Sequence, residues 1–376
     1  MKKIIWFIVL IILCTTLSIS AYSESLAENK LFCDNNGNFT ILVVSDPQCD
    51  TKAQWIEAKN ELEILVARSK PDLVIINGDM NSHNIIPADM WDTFISPIVS
   101  RKIFWCTTNG NHDPYNARYY KMYKSYEKCL NIKVNTTNPN YENARPMNYV
   151  IPIYSNNKKN IVFAVYCMDT GTSNRYGYEG LTTKQIRWYK QQSDNLKQLN
   201  SGDAVTSLLC MHIPLTQTLD MFYSAIDGGD AISKRTGGIY NVYGITNQNS
   251  IGVKNYICEN GTKIKNTFLH TTAPQNDRGM FNAILNQGDI KAVIFGHEHQ
   301  TNLIGSYKGI LLGFAGKVST GCYSDTVCRG GRVIKFDQKN PQNFTVSWIG
   351  SMPTSQDQPA IHFDGTLVQQ NVENTH

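Results

Sequence analysis

Residues 39–48 read FTILVVSDPQ, an apolar run that ends in the polar turn Asp46-Pro47-Gln48. A continuous apolar run of this length predicts a strand, at residues 39–45, that is buried on both faces. The same arrangement follows twice. LVIIN at 73–77 precedes Gly78-Asp79, and IFWCT at 103–107 precedes the turn that contains Gly110, Asn111, His112 and Asp113.

Helical patterns separate these strands. Apolar residues at intervals of three and four predict a helix after the first strand, and a second helical stretch lies around 90–99. Thr182 and Gln185 have the spacing of a capping box for a later helix. Strand–helix alternation predicts an α/β domain with largely parallel strands, and short strands near the end predict a second, mixed sheet. The remaining strands are predicted at 161–168, 204–211, 291–295, 310–314, 331–336 and 344–349.

Polar residues follow the carboxyl ends of five predicted strands. Asp46 and Asp79 are 33 positions apart, and Asp79 and Asn111 are 32 apart, which is about one βαβ unit each. Because ligands of open α/β sheets bind outside the carboxyl ends of the strands, we expect these groups to meet at one rim. The full set is Asp46, Asp79, Asn111, His212, His297 and His299.

Such a set of carboxylate, amide and imidazole groups suits a pair of metal ions. Two cations about 3.5–4 Å apart neutralise the charge of a phosphate ester and lower the pKa of a bound water. A carboxylate such as Asp79 can bridge them, and the mixed oxygen and nitrogen set is typical of Zn, Fe or Mn. Taken singly, Asp46, Asp79 and Asn111 are more typical of plain turns and His212 of a hydrogen-bonded core position, whereas the pair His297 and His299 favours neither interpretation. The hypothesis therefore rests on their order.

The series D-x-Q, G-D, G-N-H-D, a lone His and G-H-x-H resembles the calcineurin-like metallophosphoesterase superfamily over residues 40–337. Residues 278–303, followed by LLGFAG, are most similar to small non-purple relatives of purple acid phosphatases. The resemblance implies two packed mixed β-sheets flanked by helices, an α/β/β/α sandwich. It also implies a hydrolase of small phosphate esters in which a metal-bound hydroxide attacks phosphorus.

The resemblance further assigns roles to individual residues. Asp46 and His299 would hold the first metal ion, with Asp79 bridging to the second. His112 would protonate the leaving oxygen as a general acid, and Asp113 would orient His112. The ligands of the second ion would be Asn111, His212 and His297.

Two departures from the family pattern bear on activity. Gln48 replaces the histidine of the commoner D-x-H motif and is kept as a seventh candidate ligand, although an amide oxygen is the weaker ligand for Zn or Fe. Ser82 stands where purple acid phosphatases have a tyrosine, which argues against a purple iron centre. The alternative hypothesis is therefore an impaired binding protein on a phosphatase scaffold. Arg175 and Tyr176, with Tyr178 close by, are predicted to contact the substrate.

The N-terminus predicts export. Residues 1–23 have the charged start, short apolar run and small polar end of a signal peptide, and no later run is long enough to span a membrane. A secreted or lumenal glycoprotein is therefore expected. The net charge is +4, and the sequence contains no block of like charge. The charge pattern therefore gives no support for nucleic-acid binding. Four N-x-S/T sequons follow the signal, at Asn38, Asn135, Asn260 and Asn343.

Residues 24–350 of the mature chain are predicted to form the metallophosphoesterase domain. Residues 214–275 read as an irregular insertion that would close over the site, and residues 351–376 as a polar, loosely held tail. Cys322 and Cys328 flank a short loop and are predicted to form a disulfide in an oxidising compartment. Three other cysteines lie in apolar strand-like runs and are predicted to be buried thiols: Cys106, Cys167 and Cys210.

Overall fold

The computed structural model describes residues 30–82, 87–113, 128–130, 148–174, 177–226, 242–243, 245–246, 256–257, 278–366 and 368. Five helices of the described chain are α1 (Lys52–Ser69), α2 (Ala88–Val99), α3 (Thr183–Leu199), α4 (Gln217–Ile226) and α5 (Met280–Gln287). None of the described helices is long and apolar enough to cross a membrane. The signal peptide and the sequons at Asn135 and Asn260 lie outside these residues.

The strands of the described residues form two large sheets and two short two-stranded ones. The first nine are β1 (Leu31–Phe32), β2 (Asn38–Val44), β3 (Leu73–Asn77), β4 (Phe104–Thr108), β5 (Tyr149–Tyr154), β6 (Ile161–Met168), β7 (Ser173–Asn174), β8 (Gly177–Tyr178) and β9 (Ser207–Met211). The others are β10 (Val242–Tyr243), β11 (Ile245–Thr246), β12 (Tyr256–Ile257), β13 (Ile290–Phe295), β14 (Ile304–Tyr307), β15 (Ile310–Phe314), β16 (Gly330–Asp337), β17 (Thr345–Gly350) and β18 (Gln358–His362).

Both large sheets are mixed. The six-stranded sheet has the order β18-β17-β16-β2-β3-β4, and β2, β3 and β4 run parallel. The eight-stranded sheet has the order β1-β5-β6-β9-β13-β15-β14-β10, with β6, β9, β13 and β15 parallel. The predicted ligands all follow parallel strands, namely β2, β3 and β4 in one sheet and β9 and β13 in the other.

The sheets pack face to face because their strands alternate between two apolar environments. In β6, one face contributes to a core shared with the six-stranded sheet and helices α1 and α2, and the other to a core shared with α3, α4 and α5. Phe163 of β6 stacks on Phe336 of β16 across the sheet interface, with ring centroids 4.4 Å apart. The layers are therefore helix, sheet, sheet, helix, which confirms the predicted α/β/β/α sandwich.

Most predicted elements are confirmed to within a few residues. Helix α1 buries Trp55, Ala58, Leu62 and Leu65, and the capping box of Thr182 and Gln185 begins α3. The three strand cysteines are buried as predicted, at the interior of β4, β6 and β9.

Three expectations need correction. The segment predicted as a loose tail contains β18, which pairs with β17 and buries Ile361, so the sheet extends beyond residue 350. The segment predicted as an irregular insertion contains α4 and the short strands β10, β11 and β12; its role as a lid stays a prediction. Cys322 and Cys328 are both free thiols in the structure: Cys322 is exposed, and Cys328 is buried at the end of a 3-10 turn.

Candidate metal centre

The predicted ligands come from the carboxyl ends of strands in both sheets. In the six-stranded sheet, Asp46, Asp79 and Asn111 follow β2, β3 and β4. In the eight-stranded sheet, His212 directly follows β9, and His297 and His299 follow β13. The stacking of the two sheets brings these ends together, so that each sheet supplies part of one cluster.

Two groups of buried side chains in this cluster could each hold a metal ion. One consists of Asp46, Asp79 and His299, and the other of Asp79, His212 and His297. Within each group the ligand atoms lie within 4.8 Å of one another. Asp79 belongs to both groups, which is the arrangement expected of a bridging carboxylate.

Unpaired polar atoms provide a test of whether these residues fit metal ions. A buried polar atom normally has a hydrogen-bond partner, because leaving it unpaired costs about 1–3 kcal/mol. In the described structure, five atoms of the predicted ligands are buried without such a partner: Asp46 Oδ1, Gln48 Oε1, Asn111 Oδ1, His212 Nε2 and His297 Nε2. Oxygen and imidazole nitrogen atoms of this kind are the donors that Zn, Fe and Mn accept, so the residues fit the predicted pair of ions.

Asp46 connects the two histidines of the G-H-x-H turn. Its Oδ2 accepts a hydrogen bond from the main-chain N–H of His297 at 3.0 Å. Its Oδ1 lies 3.3 Å from Nε2 of His299 and 3.7 Å from Nε2 of His212, without the alignment of a hydrogen bond. The carboxylate thus fixes the backbone of one predicted ligand and faces the side chains of two others.

Asp79 and Gln48 are held together directly. The amide Nε2 of Gln48 donates to Oδ2 of Asp79 at 2.6 Å, and the main-chain N–H of His112 donates to Oδ1 of Asp79 at 2.9 Å. Nε2 of His212 lies 3.3 Å from Oδ2 of Asp79. Because Gln48 uses its amino group on the shared carboxylate, its buried Oε1 remains available to a cation.

Main-chain carbonyl groups orient two of the histidine rings. Nδ1 of His212 lies 2.8 Å from the carbonyl oxygen of Asn77, and Nδ1 of His299 lies 2.9 Å from that of Tyr323. A carbonyl oxygen only accepts, so each Nδ1 carries the proton and each Nε2 faces the carboxylates.

The backbone at the cluster is strained. Asp46, Gln48, Asp79 and His297 have φ angles of 54°, 38°, 49° and 73°, in the left-handed region that residues other than glycine seldom adopt. Such conformations cost about 1–3 kcal/mol each and concentrate at functional sites. Gly296 is required for close approach, because a Cβ there would collide with Ser45 and with the ring of His212.

The buried charges shift the pKa values of the histidines in opposite directions. Burial alone lowers the pKa of His212, but the carboxylates of Asp79 and Asp46 outweigh it and raise the pKa to about 10. For His297, burial and the neighbouring His212 lower the pKa to about 3. Burial also opposes ionisation of Asp46, yet His212 and His299 hold its pKa below the ordinary value.

His112 and Asp113 lie at the edge of the cluster. The side chain of His112 is exposed, as a group that meets substrate must be. Asp113 is buried, and its oxygens accept from the main-chain N–H groups of Met80 at 2.9 Å and Gly110 at 2.7 Å. Asp113 therefore ties together the two loops that carry Asp79 and Asn111; a bond to the His112 ring is not among the contacts of the described residues.

The structure also contains supporting residues that the sequence analysis missed. The buried side chain of Asn77 donates to the carbonyl oxygens of Met211 and Ile294 at 3.1 and 3.0 Å and accepts from Thr108 at 2.8 Å. It thereby joins β3 and β4 of one sheet to β9 and β13 of the other. Its only sequence signal is a polar residue at the end of the apolar run LVIIN.

Lys317 supports the group of Asp46, Asp79 and His299 through the backbone of Asp46. Its side chain is fully buried, and Nζ donates to the main-chain carbonyl oxygen of Asp46 at 2.5 Å. Burial lowers the pKa of Lys317. Nearby, the buried pair Glu61 and Arg329 holds the loop after Lys317 through the main-chain N–H of Ser319, which donates to Glu61 at 2.9 Å.

The predicted substrate contacts are only partly described. Arg175 and Tyr176 lie outside the described residues, so their role stays a prediction. Tyr178 is described, and its ring packs edge-to-face against His297 with centroids 4.4 Å apart.

The pKa of His212 leads to a prediction for the metal-free protein. At pH 8 His212 should be a buried imidazolium, and a metal ion bound at Nε2 should displace that proton. The folded pKa of about 10 exceeds the ordinary value of 6.5, so protonation stabilises the metal-free fold fully below pH 6.5 and less as pH rises through 10. Nitrogen-15 NMR of labelled histidine, assigned with His212→Gln, should detect one imidazolium at pH 8 that disappears on adding Zn²⁺. A neutral His212 in the metal-free protein would contradict this.

Replacing Asn77 should weaken both the fold and the second metal group. Asn77→Ala removes the two hydrogen bonds that its amide donates to the carbonyls of Met211 and Ile294, which should lower the free energy of unfolding by about 2–4 kcal/mol. His212 should then lose its position, so that bound zinc decreases. Thr108→Val is the matched control, since it removes only the hydroxyl that donates to Asn77, and should cost about 1 kcal/mol with zinc content unchanged. Chemical denaturation and elemental analysis measure the two effects; equal losses in both variants would refute the assignment.

Comparisons with known proteins agree with this geometry. The family described as calcineurin-like phosphoesterase matches residues 39–301. Two curated relatives from Arabidopsis thaliana are named probable inactive purple acid phosphatase 29 and probable inactive purple acid phosphatase 14. The first is 25% identical over 339 residues, which cover 80% of this chain and 77% of that protein. The second is 22% identical over 350 residues, which cover 82% of this chain and 77% of that protein.

A solved dimetal phosphatase from Danio rerio has a similar fold. It superposes with a TM-score of 0.50 at 9% sequence identity, covering 86% of this chain and 99% of that one. The family match spans most of the sequence and includes every predicted ligand from Asp46 to His299. This chain therefore belongs to the calcineurin-like phosphoesterase family.

Proposed function

We propose that this chain is an exported, metal-dependent hydrolase of phosphate esters. The observation that carries the proposal is a set of five buried oxygen and nitrogen atoms without a hydrogen-bond partner, on Asp46, Gln48, Asn111, His212 and His297. Asp46 Oδ1 and His212 Nε2 lie within ion-pair distance of other predicted ligands, so the atoms face one another across the same cluster. Unpaired donors and acceptors of this number are costly in a protein interior, and a pair of cations satisfies all of them at once.

Asp46, Asp79, His299 and Gln48 would hold one ion, and Asp79, Asn111, His212 and His297 the other. When bound, such ions neutralise the charge of a phosphate ester and lower the pKa of a water molecule. The carboxylate of Asp79, oriented by Gln48 and by the N–H of His112, keeps the two groups together. The exposed ring of His112 protonates the leaving oxygen, and Asp113 stiffens the loop from which that ring projects.

The central test is turnover by purified protein. We expect hydrolysis of p-nitrophenyl phosphate or bis(p-nitrophenyl) phosphate, and loss of that activity in the presence of a chelator. His112→Ala should lower kcat/KM about 10²–10⁴-fold, because it removes the proton donor. The amount of metal bound to the His112→Ala variant should equal that of the wild type. His362→Ala, at the end of β18 in the outermost strand of the six-stranded sheet, is the matched control and should keep wild-type activity.

The second candidate is a binding protein that retains the scaffold but not the chemistry. It is favoured by Gln48, and by the word inactive in the names of the two Arabidopsis thaliana relatives. The buried, unpaired Oε1 of Gln48 argues the other way, because it is suitably placed to serve as a ligand. Protein that holds two ions yet hydrolyses no phosphate ester of a panel, with no gain from Gln48→His, would support the binding protein over the hydrolase.

Export is proposed from the sequence of residues 1–23 and from the sequons. Asn38 and Asn343 have exposed side chains, which supports their use as glycan acceptors. Neither the signal nor the sequons at Asn135 and Asn260 falls within the described residues.

Export can be checked in a eukaryotic secretory host. We expect the protein in the medium, without residues 1–23, and with a mass that decreases on treatment with an endoglycosidase. Asn38→Gln and Asn343→Gln should each remove one glycan, whereas Asn35→Gln, an exposed asparagine outside any sequon, should remove none. A protein that remains in the cell with Met1 intact and no glycan would refute the proposal.

A further inference from the structure

Two tyrosine rings flank the histidines of the candidate metal centre. Tyr178 of β8 packs edge-to-face on His297, with ring centroids 4.4 Å apart and an interplanar angle of 83°. Tyr323 stacks on His299, with centroids 4.2 Å apart and an interplanar angle of 27°. The two histidines belong to different ligand groups that share Asp79, so there is one tyrosine ring beside each group.

Both rings are accessible. Tyr323 has 43% of its surface exposed, which makes it one of the few exposed large apolar side chains of the described chain. Tyr178 is half-buried, and its ring contacts His297 of the second ligand group.

The anchoring of His299 does not depend on the side chain of Tyr323. Nδ1 of His299 contacts the main-chain carbonyl oxygen of Tyr323, and any residue at that position supplies the same atom. The oxygen that orients the imidazole therefore comes from the main chain and not from the ring, and an exposed ring beside an anion site is suited to contact an organic group.

We propose that the natural substrate is a phosphate ester whose organic group is a planar aromatic ring, held against Tyr178 or Tyr323. The inference rests on the proposed function and names its substrate class. Because each ring contacts a histidine of one ligand group, an ester whose phosphate is bound by both groups would have its organic group within reach of these rings. Offset-stacked and edge-to-face aromatic pairs are preferred over aliphatic contacts of the same area, with a gain of roughly 2- to 10-fold in affinity.

Three phosphonates that cannot be hydrolysed separate the contributions of the anion, of apolar area and of aromatic character to the binding affinity. Methylphosphonate probes the anion site alone, cyclohexylphosphonate adds apolar area, and phenylphosphonate adds a ring of similar size that is planar and aromatic. Calorimetry with zinc-loaded protein should give phenylphosphonate roughly 2- to 10-fold tighter binding than cyclohexylphosphonate. The readout is independent of turnover.

The variants assign this preference to the tyrosines. Tyr323→Leu and Tyr178→Leu remove an aromatic ring but keep apolar volume, and at least one of them should reduce the preference for phenyl over cyclohexyl to within twofold. Methylphosphonate affinity and zinc content should stay within twofold of wild type. Tyr323→Phe and Tyr178→Phe retain the rings and should keep the preference.

The outcomes are distinct. If methylphosphonate binds but phenylphosphonate binds no better than cyclohexylphosphonate, the aromatic substrate class is wrong and the hydrolase proposal stands. If a leucine variant weakens all three phosphonates equally, its ring only packs the imidazole and the inference is overturned for that tyrosine. If no phosphonate binds zinc-loaded protein, the aromatic substrate class is wrong, and turnover of the two nitrophenyl esters decides the hydrolase proposal separately.

Discussion

The amide group of Asn77 donates hydrogen bonds to the carbonyl oxygens of Met211 and Ile294, and these bonds join the two sheets directly beneath the ligand cluster. Apolar packing between sheets is non-directional, so it does not define how one sheet is positioned along the other. Hydrogen bonds have defined lengths and angles. Because His212 directly follows Met211, and β13 leads directly to His297, the position of both histidines relative to Asp79 depends on this contact.

The second constraint is buried charge. Asp46 and Asp79 are both almost fully buried and share the neighbouring His212, a placement that is unfavourable unless positive charge compensates it. Lys317 supplies part of that charge, and its Nζ donates a hydrogen bond to the main-chain carbonyl oxygen of Asp46. The unpaired acceptors and the left-handed backbone at Asp46 and Asp79 add to the cost. A local arrangement that opposes stability in several ways at once is expected where a fold is built around a function.

Much of the fold could be predicted because strong local patterns coincide with tertiary packing. The run LVIIN became β3 with the predicted bounds, and so did β6 and β15. Weak or interrupted patterns were missed: β5 contains Pro152, and the outer strand β18 is largely polar. Spacing of Cys322 and Cys328 indicated a disulfide, but cysteine spacing contains no information on the direction of the side chains, and one of the two is buried. Asn77 and Lys317 were missed because their partners lie on distant strands.

The sequence by itself determined the elements and the ligand types, because apolar periodicity and turn residues act over a few positions along the chain. It placed an acidic, amide or imidazole group after each of five strands. Only the tertiary structure decided that three of those strands belong to one sheet and two to the other, and that Asp79 is common to both groups. It also decided that Asp113 fixes loop backbone and that Tyr178 and Tyr323 flank the histidines. The physical reason is that these contacts join residues far apart in sequence, and their geometry is set by the packing of one sheet on the other.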